Sequence, residues 1–299
     1  TLTIYNNNEE DIYSNISIRG NSAANFRMNI DGVSGNNQNN VFIPKNDSIF
    51  IFIEVTVDPS SNTTPYILSD SLLFETGSNL QSVKLVAWGQ DAHFYTPNTF
   101  GEIINGNDTT KVFYHQISSN QTWINEKPHV IYGYVIIDPN ATLNISEGTN
   151  VYFHKNSGIL VGNPFSNQLG GTLKVNGNYE NEVTFQGDRL DSWYEDIPGQ
   201  WDRIRFLPGS FDNEINYAII KNGITGIHAD TVSNSNPTVT INNTVIKNMS
   251  SIGILGQGAK IDASNTVVSE CGQYTVACYI GGDYTFNHCT FANYWNYSI

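Results

Sequence analysis

Apolar and polar positions alternate with a period of two through residues 214 to 294, and the alternating blocks recur. "NYAIIKN" (216–222), "NNTVIKN" (242–248), "SNTVVSE" (264–270) and "NHCTFAN" (287–293) carry one pattern, with offsets of 26, 22 and 23 between their first residues. β-Branched residues at every second place, repeated every twenty-odd residues, predict stacked rungs of extended chain and not helices. Three columns follow from the alignment. Ile220, Ile246, Val268 and Phe291 form an apolar ladder directed inward. Ala218, Thr244, Thr266 and Cys289 form a column of small residues on the same face. Asn216, Asn242, Ser264 and Asn287 sit at the bend before each strand, where their side chains can bond to copies above and below.

The same reading extends toward the N-terminus. "ATLNISEGTNVYF" (141–153) and "GTLKVNGNYENEVTF" (171–185) are one unit, with Leu143 matched to Leu173, Ile145 to Val175, Val151 to Val183 and Phe153 to Phe185. Residues 1–95 differ: short alternating runs such as "NISIRG", "SIFIFIEVTVD" and "SVKLVAWG" are separated by clusters of Asn, Gly and Pro. That spacing predicts an immunoglobulin-like β-sandwich, with the run from Ile49 to Val57, apolar on both faces at its start, as a central strand. Residues 96–122 show no periodicity and are expected to connect the sandwich to a solenoid over 123–299. The fold class expected is therefore all-β throughout.

Composition narrows the function. Of 299 residues, 28 are acidic and 14 basic, a net charge of −14. With no clustered Lys and Arg, neither nucleic acid nor an anionic membrane surface is an expected partner. No apolar run approaches the roughly 18 residues of a membrane span. Cys271, Cys278 and Cys289 have no zinc-site spacing and are expected as small hydrophobes within the solenoid, with a Cys271–Cys289 disulfide left open. The chain starts inside a strand-like run and stops inside another, so it is expected to be a fragment at both ends.

The motifs "GTLKVNG", "GQWDRIRFLPGS", "NYAIIKNG" and "FANYWNYS", in that order, resemble right-handed parallel β-helix proteins of Bacteroidetes. "FRMNIDG", "IPKNDSIFIFIEVTVDP" and "SVKLVAWGQ" resemble the abnormal-spindle/hydin type of Ig-like domain. Together these resemblances cover essentially the whole chain. They imply a surface lipoprotein of the outer membrane, anchored by an acylated cysteine upstream of Thr1, with no assigned activity. Such a protein would partner an outer-membrane complex or an extracellular glycan and touch the membrane only through its lipid. The lineage also implies O-glycosylation at Asp-Ser/Thr-apolar triplets, here Ser48, Ser71, Thr109 and Thr231. Asn-x-Ser/Thr sequons (Asn62, Asn140, Asn144 and Asn248 among them) are what so Asn-rich a chain produces by chance.

Candidate chemistry concentrates in "GDRLDSWYEDIPGQWDR" (187–203). Asp188, Asp191, Glu195 and Asp196 lie among Trp193, Tyr194 and Trp201, the residue types of a sugar-binding or Ca²⁺-binding loop. The competing reading is a loop that covers the solenoid, with Trp201 packed at a rung corner and Arg189, Arg203 and Arg205 paired to the acids. Elsewhere the acids Glu214, Asp230, Asp262, Glu270 and Asp283 occupy unrelated columns. Inverting hydrolysis needs two carboxylates roughly 6.5–9.5 Å apart, and no stacked pair provides them. Lys221 and Lys247 align on successive rungs and read as a solvated face. The expectation is a non-catalytic scaffold or binding protein without an obligate cofactor, Ca²⁺ being the one metal that fits. The alternative is a β-helix lyase or glycosidase acting on acidic glycans.

Overall fold

The computed structural model describes residues 1–20, 25–56, 66–106, 108–230 and 236–294. Thr231 and Asn62 lie outside the described residues. The chain is all-β and divides into two units, Thr1–Asp91 and Ala92–Ile299.

The first unit contains β1 (Leu2–Asn6), β2 (Ile12–Arg19), β3 (Phe26–Ile30), β4 (Val33–Gly35), β5 (Asn37–Ile43), β6 (Asp47–Val55), β7 (Tyr66–Thr76) and β8 (Asn79–Gly89). They form two antiparallel sheets, ordered β1-β6-β3-β4 and β5-β2-β7-β8. Alternate residues of both sheets meet in one core: Met28, Ile30 and Ile51 from one, Ile16, Ile43 and Leu72 from the other. This is what period-two patterning dictates when one face is buried. β6 is flanked on both sides, as a central strand should be, but its outer face is open, with Phe50 and Phe52 exposed.

The second unit coils through three parallel faces. Face one runs from His93–Tyr95 through His129–Ile131, Asn150–Phe153, Val183–Gly187, Ala218–Lys221, Val245–Lys247 and Val267–Cys271 to Thr290–Tyr294. Face two runs from Asp108–Ile117 through Tyr134–Ile137, Gly158–Val161, Ile204–Phe206, Thr225–Ala229 and Ile252–Gln257 to Tyr274–Tyr279. Face three runs from Gln121–Trp123 through Thr142–Ser146, Thr172–Asn176, Asn213–Asn216, Val239–Asn242 and Lys260–Ser264 to Asp283–Asn287. The chain visits the three faces in turn, so each circuit adds one strand to every face. The segment 96–122, expected to be a connector, belongs to this coil. Thr99–Asn105 and Asp108–Ile117 make a hairpin, and Asp108–Ile117 pairs in parallel with Tyr134–Ile137. Its strands escaped the pattern because this edge hairpin leaves Phe100, Ile103, Ile104 and Phe113 exposed, which blurs the contrast between its faces.

The predicted inward ladder is present in register: Ile220 pairs with Ile246, Ile246 with Val268, and Val268 with Phe291. The small column also holds, and its polar members are satisfied. Thr244 Oγ1 donates to the Asn242 carbonyl at 2.8 Å, and Thr266 Oγ1 to the Ser264 carbonyl at 3.0 Å. The bend column Asn216–Asn242–Ser264–Asn287 stacks as expected. Its bonding is more oblique. Ser264 Oγ donates to Asn242 Oδ1 at 2.5 Å, but Asn216 receives its bond from Asn243, at 3.0 Å. Asn243 and Asn265 both take the left-handed conformation, φ 52° and 48°, which Asn tolerates better than most residues.

One register differs. Val151 pairs with Phe185, and Phe153 with Gly187, two residues away from the expected match. The cause is the corner at 177–182, where Asn178 and Asn181 close a turn and four more residues are spent than at the corner below. No disulfide forms: Cys271 is buried, Cys289 half-buried, and Cys278 exposed, contrary to its expected place inside the coil.

Candidate functional site

Loop 188–200 leaves face one after Val183–Gly187 and re-enters the wall at Trp201. Gln200 Nε2 donates to the carbonyls of Tyr194 and Ile197, each at 2.7 Å. Asn222 Nδ2 donates to the Glu195 carbonyl at 2.9 Å, and the Gln200 amide to the Asn222 carbonyl at 2.8 Å. The loop is thereby held to the rung above it. Gly187 is required beneath it, since a Cβ there would lie 2.1 Å from Gln200 Oε1.

The seven candidate residues separate. Trp201 is only 1% exposed and stacks on Phe153, with 4.2 Å between ring centroids. Its indole Nε1 donates to the Lys221 carbonyl at 2.9 Å, so it is a core residue and no part of a ligand surface. Trp193, in contrast, is 77% exposed on a single 3-10 turn. Glu195 and Asp196 are exposed beside it. Asp191 takes the Arg189 Nε at 3.2 Å, and the same guanidinium lies 4.0 Å from the Tyr194 ring centroid. Asp188 stands at the root of the loop, 2.7 Å from His154 Nδ1, and His154 stacks on Tyr132. Burial, and next the Asp188 charge, raise the Tyr132 hydroxyl above the ordinary tyrosine range. Tyr194 and Glu195 line a cavity of about 330 Å³ between the loop and face one, together with Gln186, Arg189, Lys221 and Asn222. Among the described residues no group of three or more His, Cys, Asp or Glu side chains gathers to hold a metal ion.

A second constellation lies on the outer side of face two; the pairing of Arg203 and Arg205 to acids was one reading of the sequence, but not the Tyr134, His228 and Gln257 that join them. Tyr134 donates its hydroxyl to Asp202 at 2.6 Å, and Arg203 Nε donates to the other Asp202 oxygen at 2.8 Å. Arg203 Nη1 lies 3.2 Å from His228 Nδ1, and His228 Nε2 lies 3.0 Å from Gln257 Oε1. A guanidinium can only donate, so Nδ1 accepts, and the imidazole proton sits on Nε2 and points at Gln257. Burial, followed by the Arg205 and Arg203 charges, lowers His228 and keeps it neutral. Burial and the bond to Asp202 raise Tyr134. Arg205 pairs with Asp230, just past the end of the next strand. Aligning the in–out alternation of "DRIRF" with "GIHAD" would have placed these residues side by side, since Ile204 pairs with Ile227.

Of the four Asp-Ser/Thr sites, Thr109 is exposed in the edge hairpin, whereas Ser48 and Ser71 are half-buried in strands. The chain matches no protein-family model, no curated protein and no solved structure.

Proposed function

We propose that this chain is a non-catalytic, surface-exposed binding scaffold in which the first unit is an Ig-like sandwich and the second a right-handed parallel β-helix. With β1 lettered B, the two sheets run B-E-D and D-C-F-G, position D being shared by β3–β4 and β5. That order supports the Ig-like assignment. Strand crossovers between parallel strands are right-handed in nearly all proteins, which supports the hand of the helix. The sandwich would dock the protein onto an outer-membrane assembly, with a lipid anchor upstream, and the helix would carry recognition of an extracellular glycan.

The observation that carries this reading is Trp193, an exposed indole held out on a loop whose base is pinned by Gln200 and Asn222. An indole face presented without its own burial is the feature that stacks on a sugar ring. Three of the five acids of this stretch are engaged in structure, Asp188 with His154, Asp191 with Arg189 and Asp202 with Arg203, while Glu195 and Asp196 are exposed. Affinity electrophoresis of the whole protein through gels containing soluble polysaccharides tests the reading. Retardation that is lost in Trp193→Ala is expected, and equal migration of both proteins in every gel would refute it.

One observation favours the enzymatic alternative: Asp202, His228 and Asp230 share the outer side of face two with two arginines and Tyr134. In that reading a lyase or glycosidase would act on acidic glycans there. Product release from uronate-containing polysaccharides, abolished by His228→Gln, would establish it; silence across the panel would dismiss it.

A further inference from the structure

On faces two and three, three cations stand beside carboxylates of the neighbouring rung. Lys174 meets Glu214 on the next strand of face three at 2.9 Å, Lys260 meets Asp283 at 3.6 Å, and Arg205 meets Asp230 across face two. Face one differs. Lys221 stands directly opposite Lys247 in the parallel register, and neither has an ion pair among the described residues. Neighbouring strands are about 4.8 Å apart, so two like charges occupy adjacent rungs of one face. Such a pair is tolerated in solvent, but it is an arrangement that an anion would complete.

Lys221 is also a wall of the 330 Å³ cavity under loop 188–200. Opposite it, Arg189 lies over the Tyr194 ring and is steadied by Asp191. The amides of Gln186 and the side chain of Glu195 complete a lining of hydrogen-bonding groups. The loop is held in place by the bonds of Gln200 and Asn222, so the cavity exists before any ligand arrives. Two cations, amides and one carboxylate around a volume of this size suit a monosaccharide that carries a negative charge.

We infer that this cavity is the subsite for one acidic sugar residue, whose carboxylate or sulfate rests at Lys221 and Lys247 while Arg189 closes the outer side. This inference rests on the glycan-binding reading and specifies the ligand class. On a protein of net charge −14 the long-range field repels such a ligand, so recognition depends on these local cations.

The test is calorimetric titration of the whole chain with trigalacturonate, its methyl ester, and a sulfated neutral trisaccharide. The expected result is at least tenfold tighter binding of trigalacturonate or of the sulfated sugar than of the ester. Whichever of the two binds more tightly identifies the anion. The double variant Lys221→Met, Lys247→Met is expected to remove the preference for the charged sugar over the ester. Equal binding of acid, sulfate and ester by the wild type would overturn the inference and leave glycan recognition standing. If no saccharide binds, the glycan reading fails. The anion site is then decided by titrating inorganic sulfate and following the Tyr194 ring by NMR. A saturating shift lost in Lys221→Met supports the site, and no shift rejects it.

Discussion

Trp201 lies nearly parallel to Phe153, 10° between the ring planes, and the pair fills the coil interior beneath the loop that carries Trp193. Eight residues thus separate a core indole from an exposed one, and their substitutions should have opposite consequences. Trp201→Ala is expected to cost about 3–5 kcal/mol of stability, the range for emptying a buried aromatic site. Trp201→Phe keeps most of the ring and orphans the Lys221 carbonyl, at about 1–3 kcal/mol. Urea unfolding checks both values; a stable Trp201→Ala variant with weakened ligand binding would return this residue to the binding surface.

His129 gives the fold a pH dependence. It is 3% exposed at the first rung, between the Tyr95 hydroxyl at 2.9 Å and the Ile124 carbonyl at 3.1 Å, and it stacks on Trp123. Burial lowers it to about 4, while the unfolded chain titrates at about 6.5. Below that value the unfolded state takes up a proton that the folded state refuses, so stability falls from about pH 6.5 toward pH 4 and levels off below. The full effect is about 3 kcal/mol. Urea midpoints at pH 7 and pH 5 should differ, and the difference should shrink in His129→Gln. A pH-independent wild-type midpoint over this range contradicts the assignment.

The bends offer a separable test. Asn243 supplies both a left-handed backbone and a bond to Asn216 Oδ1, and it accepts from Asn265 Nδ2 at 2.7 Å. Asn243→Gly keeps the backbone freedom and loses the bonds; Asn243→Ala loses both. The alanine variant should be less stable than the glycine variant by about 1 kcal/mol. The reverse order in thermal melts would mean that the left-handed backbone carries no cost at this bend.

Arg205 and Asp230 test the polar cluster on face two. Arg205→Met leaves Asp230 without its cation and is expected to destabilise by about 1–2 kcal/mol, the guanidinium being partly exposed, whereas Arg205→Met with Asp230→Asn should recover most of that loss. A double variant no better than the single one would show that the pair is not the unit at work.

The ladder of Ile220, Ile246, Val268 and Phe291 was legible because each rung there repeats the same corner and the same alternation. The pairing of Val151 was misplaced because the extra residues at 177–182 sit in a turn, which period-two patterning cannot measure. Loop 188–200 was legible as a polar, aromatic patch, and the packing of Trp201 at a rung corner was one of the two readings its residues allowed; stacking on Phe153 from the rung below selects it. The Tyr134–Asp202–Arg203–His228–Gln257 chain was hidden for another reason: apart from the adjacent Asp202 and Arg203, each link joins residues far apart in sequence, which no short motif contains.

Loop 188–200 is proposed to recognise a glycan without turning it over. The most direct measurement incubates the whole protein with a panel of acidic and neutral polysaccharides, recording co-sedimentation and released sugar ends in the same tubes. Co-sedimentation with at least one acidic polysaccharide, reduced at least tenfold in Trp193→Ala, is expected, with no released ends over hours. Steady release of ends, or co-sedimentation that Trp193→Ala leaves unchanged, would contradict this proposal.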